Sequence, residues 1–285
     1  MFESTDRDVS SRYEPILPSK PRPTIVLLHS SASSARQWQR LADRLRDRFY
    51  VHAVDLHGHG ARTAWRGKGP FKLSDDAALA APMLRVPGGA HIVGHSYGAA
   101  VALKLAALHP RQVRSVTAYE PVMFRWLLDE PVAQEVTALV ESLREAIASN
   151  DPARAAQRFV DFWSGDGAWN SLPPVPQQSI AARMHTVLLH FDALIHEPLT
   201  PAELGRVRAP MLFITGARTV APMQRIAQIV RRSLPHATHE VLPGLGHMGP
   251  LTNAAEVNAR ITAFLDAREP SNARFEPVRE GAQAR

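Results

Sequence analysis

Six short β-rich runs, alternating with stretches of helical spacing, limit this chain to one kind of architecture. Thr24-Ile25-Val26-Leu27-Leu28 is the first, and Tyr50 to Val54, His91 to Val93, Val113 to Tyr119, Met211 to Thr215 and Thr238 to Leu242 follow. Continuous β-rich runs of this length suit strands buried on both faces of a parallel sheet. Helical stretches lie between most of them. Arg36 to Arg46 sets Trp38, Leu41 and Leu45 at helical spacing, and Tyr97 to Leu108 stops at His109-Pro110. Met223 to Leu234 and Asn253 to Ala267 complete the set. Strands alternating with helices predict an α/β fold, a mostly parallel sheet with helices on both faces.

Residues 121–205 interrupt this rhythm. They hold no clear strand, but show helical segments around Val132 to Ile147, Pro152 to Trp163 and Gln177 to Ile195, punctuated by Pro173-Pro174-Val175-Pro176. The expected organisation is a core of residues 23–120 and 206–267 with a helical cap over 121–205 inserted between two strands. Residues 1–22 are proline-rich and aperiodic and read as a mobile arm. Residues 268–285 are polar and read as a disordered tail.

Composition narrows the function. The chain has 285 residues, 45% of them apolar, enough for a sizeable core. Its net charge of +6 is spread among acidic residues without a run of five basic ones, which argues against a nucleic-acid surface. It has no cysteine, so disulfides and thiol chemistry are excluded. The N-terminal residues lack the apolar core of a signal peptide, and no apolar run reaches the roughly 18 residues of a membrane helix. A soluble cytoplasmic protein acting on a small-molecule substrate, without metal, cofactor, nucleic acid or membrane, is the expectation. The oligomeric state is left open.

Gly94-His95-Ser96-Tyr97-Gly98 fits G-x-S-x-G, directly after one expected strand and directly before one expected helix. A serine on so tight a turn needs glycine two residues before and after it. The turn lifts the hydroxyl above the sheet, and the helix N-terminus offers the Tyr97 N–H to an oxyanion. Ser96 is the expected nucleophile. Among 13 histidines, His247 stands out, in a glycine-rich loop after the last strand and before the last helix. It is the expected general base.

With these residues placed, the chain resembles the α/β-hydrolase superfamily over roughly residues 24–267. Leu27-Leu28-His29-Ser30-Ser31 is similar to the family's oxyanion loop, and Asp55-Leu56-His57-Gly58-His59-Gly60 to its D-x-x-G-x-G turn. Ala209-Pro210 with Met211 to Gly216, and Leu242 to Met248, look like the family's later strand and its histidine segment. The resemblance implies oxyanion N–H groups from Ser31 and Tyr97. Ser30 stands where glycine is usual, and its side chain is expected to narrow that wall. His29 is expected to brace the loop, His95 to be structural, and His57 and His59 to serve the turn rather than a metal. His185, His190 and His196 fall in the cap, where one of them could touch substrate.

The triad acid is the main departure. The family's commonest site for it lies just after Met211 to Thr215, where this chain reads Gly216-Ala217-Arg218-Thr219-Val220, with Thr219 in place of aspartate. From Gly205 to His239 there is no acidic residue at all. Glu120, ending the preceding strand as in some relatives, is the expected acid, and Asp55 the alternative. Phe124, Trp126 and Leu127, close after that strand, are the expected pocket lining. The implied activity is hydrolysis of a small or medium apolar ester, thioester or lactone through an acyl-enzyme. A C–C bond hydrolase, a cofactor-free perhydrolase or a non-catalytic small-molecule binder are the alternatives on the same fold.

Overall fold

Every residue of Thr24–Leu28 is buried, and this run forms β1 at the inside of the sheet. The computed structural model describes residues 22–269. Beside β1 lie β2 (Tyr50–Val54), β3 (Ala90–His95), β4 (Val113–Tyr119), β5 (Met211–Gly216) and β6 (Thr238–Leu242). Their order is β2-β1-β3-β4-β5-β6 and every pairing is parallel. The six expected strands and the fold class are observed, with β3 three residues longer and β5 one residue longer than expected. β2 and β6, at the two edges, expose much of their length, whereas β1 and β3 are buried throughout. That is the difference between edge and central strands of a covered parallel sheet.

The helices are α1 (Gln39–Leu45), α2 (Leu73–Ala80), α3 (Tyr97–Leu108), α4 (Ala133–Ala148), α5 (Pro152–Ser164), α6 (Pro174–Ala181), α7 (Met184–Ile195), α8 (Pro201–Leu204), α9 (Ala221–Ser233), α10 (Gly249–Thr252) and α11 (Ala254–Asp266). None is long and apolar enough to cross a membrane. α4 to α8 all lie between β4 and β5, in the segment expected to be helical.

Three local differences from expectation have physical causes. The segment Gln177 to Ile195 is two helices. Pro174 opens α6 in its first turn, where proline is tolerated, and the chain tightens at its end as the Arg183 N–H bonds Ile180 O at 2.9 Å. α2 was not anticipated. Its buried stripe is Leu73, Asp76, Ala77 and Ala80, and a carboxylate on that stripe erases the apolar period that would announce a helix. The tail boundary expected at 268 comes too early. Arg268 Nη1 bonds Phe264 O at 2.7 Å and Glu269 pairs with Arg114. The remainder of the expected arm and tail lies outside the described residues.

The strand order reverses between β1 and β3, so the carboxyl ends of these two neighbours open a crevice, the usual ligand position of open α/β sheets. The chain leaves β1 into His29-Ser30-Ser31 and leaves β3 into Ser96. Helix α3 packs so closely there that a Cβ on Gly98 would lie 2.4 Å from the carbonyl oxygens of Leu28 and His29. One on Gly94 would lie 2.3 Å from Gly98 O. The two glycines of the motif are therefore required by close approach of backbone to backbone.

Candidate active site

Ser96 occupies the turn between β3 and α3 with φ 55° and ψ −118°, a conformation that costs a non-glycine residue of the order of 1–3 kcal/mol. Its N–H is held by Tyr119 O at 2.9 Å, and Gly94 and Gly98 leave room for the turn. The serine is 6% exposed, and its Oγ lies 2.8 Å from His247 Nε2. Opposite, His247 Nδ1 lies 2.7 Å from Glu120 Oε2. The structure thus brings together Ser96, His247 and Glu120.

Glu120 follows β4 in a left-handed conformation, φ 45°. The carboxylate is buried and well supplied with donors. Its Oε1 accepts from the Gly216 N–H at 2.7 Å, and Oε2 accepts from Thr219 Oγ1 at 2.7 Å as well as from His247. Thr219 is the residue found where an aspartate is commonly placed in this fold. Here its hydroxyl holds the carboxylate that reaches in from β4. Asp55, the alternative acid, is engaged elsewhere. Its oxygens accept from the Ala35 and Ala61 N–H groups at 2.8 and 2.9 Å. Burial opposes ionisation of Asp55, but these two N–H groups outweigh it and hold the carboxyl below its ordinary range.

The loop after β1 is fixed from several sides. His29 Nδ1 donates to Ser30 O at 2.7 Å while its Nε2 accepts from the Leu56 N–H at 3.1 Å. The Ser30 hydroxyl and N–H both donate to Gln37 Oε1, at 2.9 and 3.1 Å, so the side chain is turned onto Gln37. The Ala32 N–H donates to His59 Nε2 at 3.0 Å. The Ser31 N–H between them is taken up by no described residue. The Tyr97 N–H, at the first position of α3, has no intrahelical acceptor. Gln37 also donates to His95 Nδ1 at 3.1 Å, and His95 Nε2 donates to His247 O at 2.8 Å. His95 is a brace between the two loops. Burial, followed by the neighbouring His247, pushes its pKa well below the ordinary value, which suits a neutral structural ring.

The expected pocket residues part company. Phe124 stacks on Phe191 (centroids 5.5 Å apart, 3° between planes) and lies parallel to Trp163 at 6.5 Å. Trp163, at the end of α5, stacks on the His247 ring at 3.8 Å and 25°. Phe124 therefore sits one aromatic layer from the histidine. Trp126 instead donates its Nε1–H to Leu199 O at 2.7 Å, tying the segment after β4 to the one before α8. Leu127 is 1% exposed within the large core cluster. Trp163 is the residue the sequence did not single out. It is one of several aromatics in the insertion, and only the packing of α5 puts it against His247.

His57 and His59 serve the turn after β2. His57 pairs with Asp76 and His59 Nδ1 donates to His57 O, each at 2.8 Å. A Cβ on Gly60 would fall 2.1 Å from the Asp55 carboxylate, which is why that turn ends in glycine. Of the insertion's histidines, His190 is buried and bonds Ser31 Oγ at 2.8 Å, while His196 Nδ1 bonds Asp192 O on its own helix.

Comparison with known proteins shows what the whole chain is similar to. Residues 25–260 match the Alpha/beta hydrolase family. The chain is 28% identical over 253 residues to the pimeloyl-[acyl-carrier protein] methyl ester esterase of Chromobacterium violaceum, covering 86% of this chain and 95% of that one. It is 31% identical to lipase LipV of Mycobacterium tuberculosis over 165 residues, 57% of this chain and 56% of the other. MGS-M2, an alpha/beta hydrolase enzyme from a Medee basin deep-sea metagenome library, superimposes with a TM-score of 0.73 at 14% identity, over 87% of this chain and 90% of that one.

Proposed function

We propose that this chain, which belongs to the alpha/beta hydrolase family, is a serine hydrolase that cleaves a small or medium apolar ester, thioester or lactone through an acyl-enzyme. The observation that carries this reading is the line of contacts Ser96 Oγ–His247 Nε2 at 2.8 Å and His247 Nδ1–Glu120 Oε2 at 2.7 Å, beside a serine held in a strained turn.

His247 takes the hydroxyl proton as Ser96 attacks the acyl carbon, and gives it to the leaving group as the tetrahedral intermediate collapses. Glu120 keeps the proton of the neutral ring on Nδ1 and stabilises the imidazolium that forms. Because both carboxylate oxygens already accept hydrogen bonds from Gly216 and Thr219, the acid is fixed before substrate arrives. The Ser31 and Tyr97 N–H groups receive the oxyanion. Water, activated by the same histidine, then hydrolyses the acyl-enzyme. Residues 121–205 act as a cap. Trp163 and Phe124 present an aromatic wall that favours an apolar acyl or alcohol group and keeps water from the imidazole. Relatives named as esterases and a lipase support ester cleavage over the other chemistries of the fold.

The test is a fluorophosphonate probe followed by a series of p-nitrophenyl esters of rising chain length. Covalent labelling of Ser96, lost in Ser96→Ala, is expected, with turnover of the esters. A native protein that neither labels nor turns over any ester would overturn the reading.

A further inference from the structure

A second serine, histidine and carboxylate lie in line beside the first. Ser31 Oγ is 2.8 Å from His190 Nδ1, and His190 Nε2 is 3.7 Å from Asp76 Oδ2. Ser31 follows β1, His190 is on α7 of the insertion, and Asp76 is on α2 of the core. His190 is 1% exposed, and its Nε2 has no hydrogen-bond partner among the described residues. Asp76 is buried and already accepts from Tyr97 OH at 2.9 Å and from the His57 N–H and Nδ1 at 2.9 and 2.8 Å. With its proton on Nε2, the His190 ring turns a donor toward that carboxylate and leaves Nδ1 to accept from the Ser31 hydroxyl. The ring face completes the contact. It stacks flat on Tyr97 at 3.6 Å and 0°, and lies against His59 at 5.1 Å and 19°.

One side chain thus touches both residues whose N–H groups are assigned to the oxyanion. It bonds Ser31 and stacks on Tyr97. The loop needs such an anchor. Ser31-Ala32-Ser33-Ser34 has no large side chain to pack, and Ala32 is left-handed with φ 59°. A short loop of this kind keeps one conformation only if its surroundings hold it. His59 holds the Ala32 N–H and Gln37 holds Ser30. Among the described residues, the Ser31 side chain itself is held only by His190 of the insertion.

We propose that His190 is a positioning residue that sets the Ser31 N–H of the oxyanion hole through the Ser31 hydroxyl, so that the hole is complete only when the insertion is docked. The proposal rests on the serine-hydrolase reading above. Misplacing an oxyanion donor by a fraction of an ångström to an ångström weakens the transition state and not the bound ester.

Four variants test it on p-nitrophenyl acetate, with phenylboronic acid as the probe of the tetrahedral state. His190→Phe keeps the ring on Tyr97 and loses the bond. Ser31→Ala loses the bond from the other side. His190→Asn can restore a polar group near the Nδ1 position. The double variant His190→Phe/Ser31→Ala removes both partners. His190→Phe and Ser31→Ala are each expected to lower kcat by about ten- to a hundredfold with KM unchanged, and to raise the phenylboronic acid Ki by a like factor. The double variant should be no worse than the poorer single one, and His190→Asn should recover most of the loss. Parental kcat in Ser31→Ala, which disturbs little packing, overturns the proposal even if the His190 variants fail to fold. So do multiplying losses in the double variant, or a loss confined to KM. If Ser96→Ala keeps full turnover, it is the serine reading that falls, whatever His190 does.

Discussion

Two arrays of the same three residue types lie side by side, and they differ in almost everything that matters chemically. In the first, a strained serine meets His247 Nε2 at 2.8 Å, and the acid meets Nδ1 at 2.7 Å. In the second, an unstrained loop serine meets His190 Nδ1 at 2.8 Å, and the carboxylate stands back at 3.7 Å. The first array stands on three loops at the carboxyl ends of β3, β4 and β6, each entering from a buried or paired strand. The second joins the core to the insertion. Glu120 has its third donor in His247, so it is tuned to that ring. Asp76 is filled by Tyr97 and His57 and reaches His190 only at long range. A serine, a histidine and a carboxylate in line are thus not a mechanism by themselves. The backbone strain at the serine, the nitrogen presented to it and the freedom of nearby N–H groups decide the role.

Removing the two serines in turn should separate the arrays most strongly. Ser96→Ala should lower turnover of p-nitrophenyl acetate by about 10⁶-fold with the circular dichroism spectrum unchanged. Ser31→Ala should lose only the smaller factor expected above. If the two losses were equal, the arrays could not be ranked, and Ser31 would become a rival nucleophile.

The acids separate them next. Glu120→Gln should cut kcat by at least about a hundredfold, and up to about 10⁴-fold, because the ring loses both its tautomer control and the charge that stabilises the imidazolium. Asp76→Asn should cost less in kcat and more in melting temperature, since it weakens the buried bonds to Tyr97 and His57. Should Glu120→Gln retain parental kcat in a folded protein, the acid would have to be sought elsewhere.

The first array was readable in the sequence and the second was not, for a physical reason. Gly94, Gly98 and Ser96 are dictated by a local turn, and Glu120, Thr219 and His247 by their places at strand ends, so order along the chain locates them. The inner strands β1 and β5 are nearly continuous apolar runs, and all six strands lie close to the limits their sequence predicts. Ser31, Asp76 and His190 meet only because α2 and α7 pack together. Asp76 even concealed its own helix by occupying a buried stripe position. Trp163 was hidden in the same way, one aromatic among many until α5 laid it on His247. Trp126 lies close after β4, as a pocket residue would, but its indole N–H donates to Leu199 O and makes the side chain a tie.

The histidines also give the comparison a pH signature. Burial lowers His29 and His91 to about 4, and pushes His95 and His190 well below the ordinary value. Unfolded histidine titrates near 6.5, so between roughly pH 6.5 and 4 the unfolded chain binds more protons than the folded one. Stability is therefore full above that window and falls as the pH drops through it. His29 and His91 alone should withdraw about 3 kcal/mol between pH 7.5 and 5.5, measured by urea unfolding at the two values. A free energy of unfolding that stays level across this interval would show that these rings are solvated or paired when charged.

The smallest effect is expected at Thr219, and it tests how the acid of the first array is held. Thr219 Oγ1 donates to Glu120 Oε2 at 2.7 Å, the same oxygen that faces His247 Nδ1. It stands where this fold commonly places the acid, so the hydroxyl and the distant glutamate together replace one aspartate. Thr219→Val keeps the shape and removes the donor. The Gly216 N–H still fixes Oε1, so the carboxylate should stay near the ring but rotate more freely about that anchor. Loss of one hydrogen bond to a charged group corresponds to about 1.5–3 kcal/mol, of which only the share that changes during turnover reaches kcat. A drop in kcat of about three- to tenfold, with KM unchanged, is expected. Thr219→Asp would put a second carboxylate beside Glu120, and two close carboxylates resist ionising together. It should therefore be worse than Thr219→Val in the parental background, yet recover part of the activity lost in Glu120→Gln. Failure of that recovery would mean that the loop after β5 can no longer carry the acid, and that Thr219 serves only to hold Glu120.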